Sequence, residues 1–101
     1  MADTSFSITR DGDRLDVSVE GNLDAQASPG LERALEDELD DVAELVVDLE
    51  KVAYVSSRGL RLLLAVQKRM FKQGSMVVRG ANGDVRELFE ATGFSEILTL
   101  A

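Results

Sequence analysis

Ser56-Ser57-Arg58-Gly59 is the stretch in which residue type and position could carry chemistry. It follows an apolar segment ending at Val55 and opens a run with helical periodicity. The serines therefore fall where backbone N–H groups lack intrahelical partners and the helix dipole is positive. A serine in that place has two uses. As an N-cap its hydroxyl accepts from an unpaired N–H, worth about 1 kcal/mol. As a phosphoryl acceptor it would carry a charge of about −2, stabilised by the same N–H groups and by Arg58, so modification would change the surface and leave the fold intact. The residues alone leave cap and acceptor open.

Other chemistries lose their actors. The 101 residues contain no histidine and no cysteine, which removes the commonest general base, the usual partner of a catalytic serine, the thiolate nucleophile and most transition-metal ligands. The acid pairs Asp37-Glu38 and Asp40-Asp41 are adjacent on or beside a helix and point apart, so they converge on no metal. Gly21, Gly59 and Gly80-Ala81-Asn82-Gly83 lack the spacing of a nucleotide fingerprint and read as turns and helix ends. No enzyme activity, cofactor or metal is expected.

The elements that must position Ser56 and Ser57 follow from periodicity. Phe6 and Ile8, then Leu15, Val17 and Val19, alternate with polar residues around Asp11-Gly12-Asp13, which predicts an antiparallel hairpin. Gly21 is expected to close the second strand and Asn22-Leu23-Asp24 to form a loop. A first helix is expected from about Ala25 or Ser28 to Leu39, with Ser28-Pro29 as cap and first turn. Leu45-Val46-Val47-Asp48-Leu49 reads as a central strand covered on both faces. A second helix then runs from about Arg58 to Gln73 and ends at Gly74. Met76-Val77-Val78-Arg79 is a strand, Val85, Leu88, Phe89 and Thr92 mark a third helix opened by Asn82 or Gly83, and Ile97-Leu98-Thr99-Leu100 a last edge strand. The order ββαβαβαβ predicts one α/β domain over residues 1–101, with a hairpin on an otherwise crossover-connected sheet.

Charge is polarised along the chain. Residues 1–50 hold 15 acids and 3 bases (−12), residues 51–101 hold 4 acids and 8 bases (+4), for −8 in all. An acidic total disfavours nucleic acid and anionic membranes as partners. Within Lys51–Gln73 stand Lys51, Arg58, Arg61, Lys68, Arg69 and Lys72 without an acid. Such a run is either a solvated helix face or a docking face for an acidic partner. A helical wheel places Leu60, Leu63, Leu64, Val66, Met70 and Phe71 on the core arc. Leu62 falls among the bases, as a scattered surface leucine or a contact anchor. With no basic leader before an apolar stretch and no long apolar run, a soluble, cytoplasmic protein is expected.

Four segments together resemble the STAS domain of bacterial anti-sigma-factor antagonists. They are Gly21-Asn22-Leu23-Asp24-Ala25, Val46-Val47-Asp48-Leu49, Tyr54 through Leu63, and Val85-Arg86-Glu87-Leu88-Phe89-Glu90-Ala91-Thr92-Gly93-Phe94. The resemblance spans nearly the whole chain. It implies a mixed sheet of four to five strands packed with three to four helices, and no catalysis. It also implies binding to an anti-sigma factor that is a serine kinase, release of the sigma factor, inactivation by phosphorylation of one serine, and restoration by a phosphatase. Ser57 matches the phosphoacceptor and Asp24 an acidic loop residue that helps kinase recognition in relatives. Asn22, Ser56, Arg58, Arg61 and Leu62 complete the expected partner-binding set. Ser56 stands where phosphorylated relatives usually carry Asp, and Arg58 where a small residue usually follows. The second reading on the same fold is an accessory or scaffold subunit of a transporter or stressosome-like complex, without a phosphocycle.

Overall fold

The computed structural model describes residues 4–101. Strands β1 (Ser5–Asp11) and β2 (Arg14–Leu23) form the expected hairpin, turned at Gly12 with φ of 63°. Helix α1 (Ser28–Glu38) leads to β3 (Glu44–Val55), α2 (Ser57–Phe71) to β4 (Ser75–Arg79), and α3 (Gly83–Ala91) to a short 3-10 turn at Phe94–Glu96. The sheet order is β1-β2-β3-β4; β1 is antiparallel to β2, and β2, β3 and β4 run parallel through the α1 and α2 crossovers.

The sheet has one buried face. Leu15, Val17, Val19, Leu45, Val47, Leu49, Met76 and Val78 are buried with Leu31, Leu35, Leu60, Leu63, Met70, Val85 and Phe89 of the helices. Arg14, Ser18, Glu20 and Glu44 on the opposite face are exposed. A thinnest dimension of 19 Å fits two layers. The expectation of a central strand covered on both faces is therefore corrected. Val46 alone makes the run look continuous, being 8% exposed on the outer face, while its neighbour two residues on, Asp48, is partly open.

Three boundaries also differ from expectation. Gly21 does not close β2: with φ of 111° it lets the strand shift register against β3 and continue through Asn22 and Leu23. Ser28 is not the cap of α1. It is the first helical residue, fully buried, with its hydroxyl unpaired among the described residues. The carboxylate of Asp24 serves that turn instead, accepting from Gln26 N and Ala27 N at 3.1 and 3.0 Å. Ile97–Leu100 is no strand. After the 3-10 turn only Leu100 bridges Val78, through Val78 N to Thr99 O and Ala101 N to Val78 O.

Candidate functional site

The start of α2 is fixed by a division between two serines. Ser56 is extended (φ −83°, ψ 174°), and its Oγ accepts from Gly59 N at 3.3 Å, so Ser56 is the N-cap. Ser57 is the first helical residue and is exposed, with no hydrogen-bond partner for its hydroxyl among the described residues. Arg58 is exposed beside it.

Two backbone contacts hold this corner against the end of β2. Ser56 N donates to Leu23 O at 2.9 Å. Gly59 lies so close to the same carbonyl that an added Cβ would stand 2.3 Å from Leu23 O. Only a glycine permits that approach. Asn22 and Asp24 flank Leu23, so the pairing brings their segment alongside Ser56-Ser57. Asn22 is itself tied down: its carbonyl accepts from Thr4 Oγ1 at 2.7 Å and its N–H donates to the same oxygen at 3.1 Å. Sequence reading placed Asp24 near the acceptor by resemblance alone and missed its part in the turn into α1, although an Asp four residues ahead of a helical run is a turn signal.

Arg58 and Arg61 line an open groove of about 240 Å³ with Glu32 of α1, Leu62 and Ala65. Leu62 is the residue of the expected set that the structure moves. It is 3% exposed, facing α1 in a second groove with Leu35, Leu39 and Val66. The wheel placed it correctly relative to the bases, but α1 covers that flank. It underlies the surface and is not the exposed residue that the wheel suggested. Phe71 is the converse case. Assigned to the core arc, it is 82% exposed because no element covers the opposite flank of α2. Of the bases on α2, Arg69 is engaged with Asp40 at 2.8 Å, whereas Arg58, Arg61, Lys68 and Lys72 continue an exposed stripe.

No group of three or more metal-ligating side chains gathers among the described residues, and no helix there is long and apolar enough to cross a membrane. The arrangement offers a rigid lip with a free hydroxyl at a helix N-terminus, beside positive charge. Chemically it suits an accepted phosphoryl group and a contact surface.

Comparisons with known proteins agree on the type of domain. The family model described as "Mlab, STAS domain" matches residues 6–99. An anti-sigma-B factor antagonist of Listeria monocytogenes is 33% identical over 93 residues, which make up 90% of this chain and 82% of that protein. The crystal structure of an anti-sigma factor antagonist from Mycobacterium paratuberculosis aligns at a TM-score of 0.87 and 26% identity, covering 97% of this chain and 85% of that one. The phosphorylated form of Bacillus SpoIIAA, at 16% identity, shares the fold, with a TM-score of 0.76 over 96% of this chain and 91% of its own.

Proposed function

The chain belongs to the STAS-domain family, and from that premise we propose that it is an anti-sigma-factor antagonist whose hold on its partner is switched by a phosphoryl group on Ser57. The partner is an anti-sigma factor that is also a serine kinase. Binding frees the sigma factor, and a phosphatase resets the antagonist. All of this takes place in the cytoplasm.

One observation carries the reading: the serine that caps α2 and the serine that is exposed on it are different residues. Transfer of the γ-phosphoryl of ATP to Ser57 Oγ, with loss of the hydroxyl proton and departure of ADP, adds charge at a helix N-terminus without removing the cap. The fold keeps its stability while the contact surface of Asn22, Asp24, Ser56, Arg58 and Arg61 changes sign locally. A hundredfold loss of affinity needs only about 2.7 kcal/mol, within reach of one phosphate buried against a partner.

Incubation with the cognate kinase and ATP is expected to add one phosphoryl group, absent in Ser57→Ala, and to release the partner. Modification at another residue refutes the switch. An active kinase that leaves Ser57 unmodified while the complex still forms transfers the chain to the second reading, an accessory or scaffold subunit.

A further inference from the structure

Arg61 stands between two places where negative charge can lie. It follows Ser57 by four residues on α2, so the two side chains leave one face of the helix a turn apart, with Cβ atoms about 5–6 Å from each other. On α1, half-buried Glu32 shares with Arg61 the groove that Arg58, Leu62 and Ala65 complete. Ser57, Arg61 and Ala65 form one row along the helix, and the last two line that groove.

The arginines of this row are uncommitted. Arg58 and Arg61 are exposed, and no ion pair engages either of them, or Glu32, among the described residues. Arg69, two turns beyond Arg61, is by contrast held by Asp40. A guanidinium free to choose takes the anion of higher charge and better fork geometry. A phosphoserine offers about −2 and three acceptor oxygens, against −1 and two from Glu32. Order favours it as well, because an anion four residues ahead of a cation lies nearer the positive end of the helix dipole.

We propose that Arg61 is a positioning residue for the switch: a phosphoryl group on Ser57 draws its guanidinium out of the α1–α2 groove and pairs with it along the helix. This rests on Ser57 being the modified residue. The groove then loses a cation in the same event that gives its neighbour a dianion. Its own charges, two arginines against one glutamate, are outweighed by the phosphate. An acidic partner that reads the arginines loses attraction and meets repulsion together.

Full-length protein with phosphoserine incorporated at position 57 during translation, so that no kinase is involved, can be titrated by phosphorus-31 NMR. Arg61→Gln is expected to raise the second pKa of the phosphate by about half a unit at low salt. Lys68→Gln removes the same charge eleven residues from Ser57, about 16 Å along the helix, and is expected to leave that pKa within about 0.1 unit. Both side chains are exposed, so the variants should fold, and Asp24 and Glu32 act alike on all three proteins. The Arg61 Nε–Hε resonance is expected to move across the titration while that of Arg33, exposed on α1, stays. Equal shifts in the two variants, or no shift in Arg61→Gln, overturn the pairing. Because the phosphoserine is built in, that result leaves the Ser57 switch standing. A kinase that modifies another residue instead removes the switch, and the role of Arg61 with it, whatever the titration shows.

Discussion

Replacing Gly59 by alanine sets two effects of similar size against each other, and the geometry decides the sign. Alanine is the better helix former by about 1 kcal/mol, so an unobstructed helix would gain. Here the new methyl would stand 2.3 Å from Leu23 O and 3.0 Å from Leu23 Cγ and Val55 Cγ1. Ordinary C···O contacts begin near 3.3 Å, so α2 must retreat by about 1 Å. The carbonyl cannot swing aside freely, because it accepts from Ser56 N at 2.9 Å. Overpacking of this kind costs about 1–3 kcal/mol and a lost hydrogen bond about 1 kcal/mol more, leaving a net destabilisation of about 1–3 kcal/mol. With a urea slope of about 1.5 kcal/mol/M, the unfolding midpoint falls by roughly 1–2 M. Gly83→Ala is the matched control. It opens α3, has nothing within 4 Å of the new methyl, and is expected to gain up to about 1 kcal/mol. A midpoint for Gly59→Ala that stays level or rises, as in the control, would refute the close approach of α2 to β2.

The other expectations concern the same corner. Ser56→Ala loses the cap and about 1 kcal/mol, while Ser57→Ala stays within about 0.5 kcal/mol of the parent; equal losses in chemical denaturation would mean that the two serines share the cap. Leu62→Ala loses about 2–4 kcal/mol, as a buried leucine does, so weakened partner binding in that variant tracks lost folded protein. Arg61→Glu leaves the melting temperature within a degree or two and weakens an acidic partner in a salt-dependent way; salt-independent weakening in a binding titration would show that the stripe is not an electrostatic surface.

Local pattern made most of the architecture legible. The period of two around Gly12 yields the hairpin, the apolar run at Leu45–Leu49 the centre of β3, and Asn82 or Gly83 the start of α3; the structure makes Asn82 the cap, its Oδ1 accepting from Val85 N at 2.9 Å. What escaped was what depends on neighbours distant in the chain. A wheel orders Leu62 and Phe71 around α2 but cannot say which flank α1 will cover, and the two residues exchanged roles on that account. Gly21 looked like a strand end because a glycine that stops a strand and one that bulges it are the same letter. Thr99–Ala101 pairs only at Val78, because the 3-10 turn after Gly93 uses up the residues that would have extended a strand. At the candidate site, the position of Ser57 was legible; that its neighbour takes the capping duty emerged only from the geometry.

That separation bears on how often such a molecule could be marked and cleared. Were the cap itself the modified residue, each round would exchange the partner of Gly59 N–H between a hydroxyl and a phosphate oxygen and so reset the first turn of α2 at every cycle. With the duty held one residue earlier, marked and unmarked populations should melt together and resist digestion equally. Signalling through Ser57 would then draw down no protein, and the ratio of the two forms could report enzyme activity alone.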